Sequence, residues 1–345
     1  MPKKGRAKVS VWTGRRVLVT GAGGFIGSHL TERLVALGAT TRALVRYTST
    51  GTRGWLEQSP MRGEIAFVAG DICDDRIVRE AMKSVEVVFH LAALIGIPYS
   101  YRAPRSYVRT NVEGTLTVLE AAMQSQVSRV VHTSTSEVYG TALAAPISES
   151  HPLQAQSPYS ASKASADLLA TAFHRSFGLE IAIVRPFNTY GPRQSNRAVI
   201  PAIISQALTG PSIRLGHLAP TRDFTYVLDT VEGFIRAAET AGAAGRVVNI
   251  GSGREISVGD LAGRIQALMG TTLPIETDAV RERPATSEVE RLCADASLAR
   301  TLLQWSPRES LDAGLSKTIA WIREHADRAP AVSAARINPT TGSST

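Results

Sequence analysis

The chain has 345 residues, 43% of them apolar, which suits a globular protein built as one large domain or two lobes. It contains no run of eighteen apolar residues, and its basic start is not followed by an apolar segment, so we expect no membrane span, no signal peptide and a cytoplasmic location. The formal charge of +8 does not indicate a nucleic-acid partner, because four of the charges lie in a basic, flexible tail over residues 1–14 and no aromatic residues alternate with the others.

The first predicted element is a strand, Arg16 to Thr20, which runs into a glycine-rich turn and then a helix. Gly21 is expected to make the tight turn, Gly24 to let the backbone approach a pyrophosphate, and Gly27 to let the helix pack on the strand. Backbone N–H groups at a helix N-terminus attract phosphate. The pattern therefore predicts a dinucleotide site at the start of this helix.

Five further short apolar runs follow, and most of them precede a stretch with helical periodicity. This alternation is typical of βαβ units. Right-handed crossovers between the units predict an α/β fold with a Rossmann-type, doubly wound parallel sheet over residues 15–187, and a ligand crevice beyond the carboxyl ends of its strands. The five runs are Thr41 to Val45, Ile65 to Ala69, Val85 to Leu91, Arg129 to Ser134 and Glu180 to Val184.

Beyond residue 187 the regular alternation weakens, which indicates a smaller C-terminal lobe. We assign residues 188–225 and 257–326 to this lobe, and we expect residues 226–256 to return to the main sheet. The elements predicted here are a helix from Pro201 to Gly210, a strand from Val247 to Ile250 and a helix from Ser257 to Met269 capped by Ser257 and Asp260. Residues 327–345 are rich in Ala, Pro, Ser and Thr and are predicted to be disordered.

The strongest catalytic pattern joins the end of the fifth strand to the helix that follows it. Tyr159 and Lys163 stand four residues apart, so a helix places both on one face, where the ammonium can lower the pKa of the phenol and make it a usable base. Thr135 would hydrogen-bond the same substrate hydroxyl. Thr135 and Glu137 are expected to point to the same side of an extended segment.

These residues fall within a longer series of ordered segments between Arg16 and His325. The segments are Gly21-Ala22-Gly23-Gly24-Phe25-Ile26-Gly27, Gly70-Asp71-Ile72, His90-Leu91-Ala92-Ala93, Asn111-Val112-Glu113-Gly114-Thr115, the Thr135, Tyr159 and Lys163 triad, Arg185-Pro186-Phe187-Asn188-Thr189-Tyr190-Gly191-Pro192-Arg193, and Arg222-Asp223-Phe224. With this series the chain resembles the extended short-chain dehydrogenases/reductases of the nucleotide-sugar epimerase and dehydratase type.

The resemblance implies a tightly bound nicotinamide dinucleotide and a nucleotide-sugar substrate held by the smaller lobe. It places cofactor contacts at Gly21, Gly24, Phe25, Ile26, Gly27, Arg46, Asp71, Ile72, Leu91, Ala92, Ala93, Asn111, Tyr159 and Lys163. Arg46 stands at the end of the second strand, where NAD-preferring members place an acidic residue. This arginine favours NADP, with NAD left open.

Glu137 decides the reaction that the resemblance implies. A ketone at carbon 4 acidifies the neighbouring proton on carbon 5, and a carboxylate that removes this proton permits loss of the carbon 6 hydroxyl as water. This is the logic of a 4,6-dehydratase. Many hexose dehydratases of this type carry an aspartate before the glutamate, whereas Ser136 stands here, as in GDP-mannose dehydratases. Glu137 would then protonate the departing hydroxyl itself or through water.

Three alternatives stay open. The string Thr135-Ser136-Glu137-Val138-Tyr139-Gly140 also resembles UDP-glucuronate decarboxylases, and a 4-epimerase has the same fold. A dinucleotide-binding protein without catalysis is more remote, because the catalytic set is intact. The strings Ala43-Leu44-Val45-Arg46-Tyr47, Gly54-Trp55-Leu56-Glu57 and Ser287-Glu288-Val289-Glu290-Arg291-Leu292 resemble UDP-N-acetylglucosamine 4,6-dehydratases of the legionaminate-pathway type, which makes UDP-N-acetylglucosamine the expected substrate.

The substrate diphosphate needs fixed donors, and the resemblance assigns Asn188, Arg193, Arg222 and Arg283 to it. No metal is expected, because Cys73 and Cys293 lie far apart and the seven histidines lack the spacing of metal ligands. The family also implies a homodimer, in which the helices around residues 111–124 and 159–177 pair across a two-fold axis.

Overall fold

The computed structural model describes residues 10–278 and 284–325, so the predictions for residues 1–9 and 326–345 lie outside it. The strands are β1 (Arg16–Thr20), β2 (Thr40–Val45), β3 (Ile65–Ala69), β4 (Val87–His90), β5 (Arg129–Thr133), β6 (Ile181–Pro186), β7 (Asn188–Tyr190), β8 (Ile213–Leu215), β9 (Thr221–Tyr226), β10 (Val247–Ile250), β11 (Glu255–Ser257), β12 (Ile275–Thr277) and β13 (Arg291–Leu292). The helices are α1 (Phe25–Ala36), α2 (Asp75–Met82), α3 (Ile97–Arg102), α4 (Pro104–Tyr107), α5 (Gly114–Gln124), α6 (Pro158–Phe177), α7 (Val199–Thr209), α8 (Val227–Glu239), α9 (Val258–Met269), α10 (Ser297–Leu302) and α11 (Leu311–Glu324). None of these helices is long and apolar enough to cross a bilayer.

Seven parallel strands form the main sheet, in the order β10-β6-β5-β4-β1-β2-β3. Helices cover both faces, so the strands are apolar on both sides. In β1, for example, Val17 and Val19 join the core under α1 and α8, whereas Leu18 joins the core under α2, α5 and α6. The Rossmann-type α/β fold expected from the sequence is confirmed.

The smaller lobe is built on a sheet in which β9 pairs with β7, β11 and β13, and its core also takes in α7, α9 and α11. Ser257 caps α9 by accepting a hydrogen bond from the backbone N–H of Asp260 at 3.0 Å, as its spacing predicts. β10 returns to the edge of the main sheet, where Val247 pairs with Ile183. α10 packs on β10, although it lies inside the range 257–326 that the sequence assigned to the smaller lobe.

Residues 10–14, which the sequence assigned to a basic flexible tail, pack on the main domain in the structure. Trp12 is fully buried, its ring packs against Phe89, and its indole N–H donates to Glu239 Oε1 at 2.7 Å. Burial of such a large aromatic surface outweighs the entropy lost by ordering the chain around it. In the sequence Trp12 follows a run of basic residues, so it was not recognised as a buried residue. The prediction that residues 10–14 belong to a flexible tail was wrong.

Candidate active site

The glycine turn after β1 brings three backbone segments together at the carboxyl edge of the sheet. Gly21 has φ +68°, and a Cβ on it would lie 2.8 Å from the backbone nitrogen of Ala92, in the loop after β4. A Cβ on Gly27 would lie 2.2 Å from the carbonyl oxygen of Gly21. Only glycine therefore allows α1 to pack this closely on the strand, as the sequence predicts for Gly27.

The start of α1 offers backbone donors for an anion. Gly24 caps the helix without a side-chain hydrogen bond, and the first turn contains no acidic residue. Phe25 and Ile26 pack their side chains toward the core of the smaller lobe, which leaves only their backbone for a ligand. Orphan N–H groups and the positive end of the helix dipole fit a pyrophosphate at this point.

A second glycine, which sequence reasoning did not single out for this role, closes a loop over the turn. Gly54 has φ +63°, and a Cβ on it would lie 2.2 Å from the carbonyl oxygen of Gly23. The backbone N–H of Trp55 donates to that oxygen at 3.0 Å, and the Trp55 ring packs edge-on against Trp321 of α11. Through Trp55, this loop contacts both the glycine turn after β1 and helix α11 of the smaller lobe.

The opposite wall of the crevice is held mostly by hydrogen bonds within the protein. Asn111 lies in a π-helical turn, bonds both backbone groups of Leu94 at 2.8 and 2.9 Å, and donates to Ser162 Oγ at 2.9 Å. Thr20 Oγ1 accepts the N–H groups of Leu91 and Ala92. These side chains fix the backbone of the segment after β4.

The remaining predicted cofactor residues lie near the ends of β2 and β3. Asp71 accepts a hydrogen bond from the N–H of Cys73 at 2.9 Å, and Ile72 packs under Gly114 of α5. Arg46 is exposed immediately after β2, and Ala93 is half-buried after β4. The arginine is thus accessible to a ligand at the sheet edge.

Tyr159 and Lys163 lie on the buried face of α6, which begins with a capping box formed by Ser157 and Ser160. Lys163 Nζ donates to the carbonyl oxygen of Thr133 at 2.6 Å, and burial lowers the pKa of Lys163 to about 8. Burial raises the pKa of Tyr159 above its ordinary value, so the lowering expected from the lysine is not seen.

The segment after β5 differs in local structure from the expectation. Thr135 is extended, but Ser136–Tyr139 forms a turn of 3₁₀-helix, and Thr135 Oγ1 caps it by accepting the N–H of Glu137 at 3.2 Å. The hydroxyl of Thr135 therefore contacts the backbone of Glu137 as a helix cap. The two residues do not lie on one side of an extended segment, as the sequence predicted. Ser136 is buried and Glu137 is half-buried.

Thr135, Glu137 and Tyr159 are electrostatically coupled. A hydrogen bond with Thr135 lowers the pKa of Tyr159, and the negative charge of Glu137 raises it. The Thr135 hydroxyl and the Glu137 carboxyl group, from the segment after β5, therefore both lie near enough to the Tyr159 phenol to shift its pKa. Such a set can move protons at neighbouring carbon atoms of one substrate.

The predicted substrate residues separate into different environments. Asn188 Oδ1 is buried without a hydrogen-bond partner. Arg222 is also buried, and its Nη2 lies 3.2 Å from Glu288 Oε1. Arg193 forms two hydrogen bonds, at 2.9 and 3.0 Å, with the Glu32 carboxylate on α1. The guanidinium of Arg193 therefore ties the glycine-turn helix to the smaller lobe. Arg283 lies outside the described residues.

Sequence reasoning missed a buried cluster beside Lys163. Asp167, one helical turn further along α6, accepts hydrogen bonds from Ser134 and Arg185 and lies close to His132. Its i, i+4 spacing from Lys163 was visible in the sequence, but that spacing is equally common in exposed ion pairs.

Comparison with known proteins gives a consistent picture. The family model described as GDP-mannose 4,6 dehydratase matches residues 18–318. The chain is 36% identical over 319 residues to a dTDP-glucose 4,6-dehydratase of Streptomyces antibioticus, covering 90% of this chain and 92% of that protein. It is 37% identical over 314 residues to a UDP-glucose 4-epimerase of Mycolicibacterium smegmatis, covering 89% and 98%. The crystal structure of DesIV, a dTDP-glucose 4,6-dehydratase from Streptomyces venezuelae with NAD and TYD bound, superposes with a TM-score of 0.82 at 34% identity, covering 91% and 98%.

Proposed function

Because the chain belongs to the extended short-chain dehydrogenase/reductase family of nucleotide-sugar epimerases and dehydratases, we propose that it is a nucleotide-sugar 4,6-dehydratase. The proposed reaction converts a nucleoside diphosphate hexose, specifically UDP-N-acetylglucosamine, into its 4-keto-6-deoxy derivative. The observation that carries the proposal is the convergence of Glu137 with Thr135 and Tyr159. A simple 4-epimerase has no evident use for this carboxylate.

The glycine turn and the uncapped start of α1 fit the pyrophosphate of a nicotinamide dinucleotide. Such a cofactor, when bound, supplies a hydride acceptor and later a hydride donor for the sugar. Gly21 and Gly24 would hold it through the backbone, Gly27 would let α1 pack closely enough to present that backbone, and Lys163 would contact it. The rest of the chemistry falls to side chains of this protein.

Tyr159 is the base for the first proton transfer in this proposal. Its phenolate takes the proton of the carbon 4 hydroxyl, while Thr135 hydrogen-bonds the same oxygen. The Lys163 ammonium, in a dry site, supplies positive charge that favours the phenolate once substrate is bound. Burial of the phenol excludes water from this transfer.

Glu137 acts on the ketone that results. Its carboxylate removes the proton from carbon 5, and the electron pair of that C–H bond expels the carbon 6 hydroxyl. The same carboxyl group returns the proton to the departing hydroxyl, so water leaves and the carboxylate is regenerated. When hydride is returned to carbon 6, carbon 5 must gain a proton; the proton that Tyr159 took from the carbon 4 hydroxyl, passed on through Glu137, completes the balance. Ser136 is buried, which is consistent with giving both proton transfers to Glu137.

Arg222 and Asn188 are the proposed contacts to the substrate diphosphate, together with Arg283. The buried oxygen of Asn188 and the buried guanidinium of Arg222 support this assignment, because both are costly to bury unless a ligand or a partner uses them. Glu288 holds Arg222 in the structure at 3.2 Å, and a diphosphate would compete for its donors. Arg193 stays among the proposed contacts on the same footing, because it too is paired with a carboxylate, Glu32 at 2.9 Å, with which a diphosphate would compete.

The similarity to a UDP-glucose 4-epimerase keeps epimerisation as a second candidate. A direct test incubates the purified protein, with NAD or NADP, separately with UDP-N-acetylglucosamine, GDP-mannose, dTDP-glucose and UDP-glucuronate. Mass spectrometry is expected to detect loss of one water from UDP-N-acetylglucosamine. Unchanged mass with inversion at carbon 4 would identify an epimerase, and loss of carbon dioxide from the glucuronate would identify a decarboxylase. Water loss from another sugar alone would overturn the proposed substrate.

We further propose that Arg46 selects NADP by binding the 2′-phosphate of the adenosine ribose. Arg46→Asp is expected to weaken NADP binding about 10- to 100-fold, because a charge-assisted hydrogen bond contributes roughly 1.5–3 kcal/mol, and to leave NAD binding intact. Calorimetric titration measures the dissociation constants of NADP and NAD, and their ratio gives the cofactor preference. Arg246→Asp, at the exposed start of β10, is the matched control. An unchanged ratio in the Arg46 variant would remove this residue from cofactor selection.

A cytoplasmic homodimer completes the proposal. Leu168 and Phe177 on α6 are 63% and 59% exposed, although both are large and apolar. A second copy of the chain, pairing α5 and α6 across a two-fold axis, would bury this surface.

A further inference from the structure

Asp167 and Lys163 hold the same short segment at the end of β5. Lys163 Nζ donates to the carbonyl oxygen of Thr133 at 2.6 Å. Asp167 Oδ2 accepts from the hydroxyl of the next residue, Ser134, also at 2.6 Å. Because Thr135 follows directly, these two bonds fix the proposed catalytic hydroxyl relative to α6.

The carboxylate of Asp167 carries a buried negative charge with several donors. Arg185 Nε and Nη2 lie 3.1 and 2.9 Å from its Oδ2, and His132 Nε2 lies 3.3 Å from its Oδ1. Burial lowers the pKa of His132, which therefore stays neutral at neutral pH. Asp167 is thus a buried negative charge that pairs with Arg185 and stands one helical turn from the buried Lys163.

Lys163 depends on this carboxylate for its charge. Burial disfavours an ammonium and the Asp167 charge opposes that effect; with both acting, the pKa of Lys163 is lowered to about 8. Arg185, in contrast, offsets part of the negative charge of Asp167. The titratable groups that face this cluster from α6 and the neighbouring elements are His90, His132, Glu137, Tyr139, Tyr159 and Arg185.

We propose that Asp167 is a positioning residue: its carboxylate keeps Lys163 protonated at neutral pH and anchors α6 to the end of β5. The catalytic consequence rests on the role given to Lys163 in the proposed function. The electrostatic claim itself stands on the burial of both side chains, on their separation by one helical turn of α6, and on their bonds to the neighbouring residues Thr133 and Ser134.

The protonation of Lys163 can be measured without turnover of a substrate. The chain has six lysines, and the two others within the described residues, Lys83 and Lys317, are exposed. In the full-length protein labelled with ¹³C at lysine Cε, the Lys163 signal can be assigned by its absence from Lys163→Arg and titrated by NMR. Asp167→Asn is expected to lower its midpoint by about one pH unit or more, because it removes an opposite charge in a dry site.

Two variants separate charge from packing. Ser134→Ala removes a hydrogen bond from the same carboxylate but no charge, so the Lys163 midpoint is expected to stay near the wild-type value. Arg185→Met removes the cation that offsets Asp167, so the midpoint is expected to rise. An unchanged midpoint in Asp167→Asn overturns the proposal. If that variant does not fold, a midpoint that falls in Arg185→Met overturns it instead.

A kinetic measurement then tests the consequence for catalysis. With the nucleotide sugar that the wild type converts, the alkaline limb of kcat/KM is expected to move to lower pH in Asp167→Asn, while Asp167→Glu retains the wild-type limb. If the wild type converts no nucleotide sugar, the proposed function has failed and the NMR result still decides the charge of Lys163. If the wild type is active and the limb does not move, Asp167 has no role in the reaction.

Discussion

Glu137→Gln is expected to lose dehydration by about 10²- to 10⁴-fold while it still binds cofactor and oxidises the sugar. The amide keeps the size of the side chain but cannot accept a proton from carbon 5. Thr135 still caps the turn, because its bond goes to the backbone N–H of residue 137. Reduced nicotinamide is expected to accumulate in single-turnover absorbance measurements, with no loss of water by mass spectrometry.

The pH dependence of sugar oxidation, which is the first half-reaction and reduces the nicotinamide, provides a second test of the Glu137→Gln variant. The negative charge of Glu137 raises the pKa of Tyr159, so a neutral glutamine lowers it. Because the phenol must lose its proton to act as a base, the acid limb of nicotinamide reduction is expected to move to lower pH. Glu64→Gln, on the surface before β3, is the matched control. Dehydration at the wild-type rate in Glu137→Gln would remove the carboxylate from the mechanism.

Tyr159→Phe is expected to abolish both half-reactions, in contrast to Glu137→Gln. The ring packs against Tyr107 with its centroid 6.2 Å away, and phenylalanine preserves that contact. The loss of one buried hydroxyl costs about 1 kcal/mol of folding free energy, so the protein remains folded. Without the phenol, no group accepts the carbon 4 proton, and nicotinamide reduction is expected to fall about 10²- to 10⁴-fold.

Tyr107→Phe provides a control with the same chemical change nearby. The Tyr107 hydroxyl donates to the carbonyl oxygen of Gly96 at 2.5 Å and has no lysine one helical turn away on the same helix. This variant is expected to retain nicotinamide reduction within a few-fold of wild type and a similar melting temperature. Equal losses in Tyr107→Phe and Tyr159→Phe would mean that the ring cluster, and not the phenol of Tyr159, governs the rate.

The main sheet was predictable from the sequence because its signals are local. Parallel strands buried on both faces read as short apolar runs, and Gly21 and Gly27 mark a close approach that only glycine permits. Trp12 was missed because a single buried indole has no periodicity. The placement of α10 on the main sheet was missed because it depends on packing between distant segments.

The catalytic side chains were predictable as a set, but their local geometry was not. The spacing of Tyr159 and Lys163 predicted that both lie on one face of a helix. It did not predict that the Lys163 ammonium donates to the carbonyl oxygen of Thr133. The 3₁₀ turn after Thr135 replaces the expected extended segment because a threonine at this point can cap a helical turn. For Arg193 the sequence gave the residue type but not its partner, Glu32, which lies far away along the chain.

The return of β10 to the edge of the main sheet makes the two lobes inseparable by a single cut. A chain shortened before residue 247 would leave the backbone groups of β6 unpaired, and such an open edge invites pairing with other chains. The part of the smaller lobe that precedes β10, from β7 to β9, must therefore be synthesised before the last strand of the sheet. Hybrid proteins that exchange this lobe need three junctions: one before β7, one between β9 and α8, and one after β10.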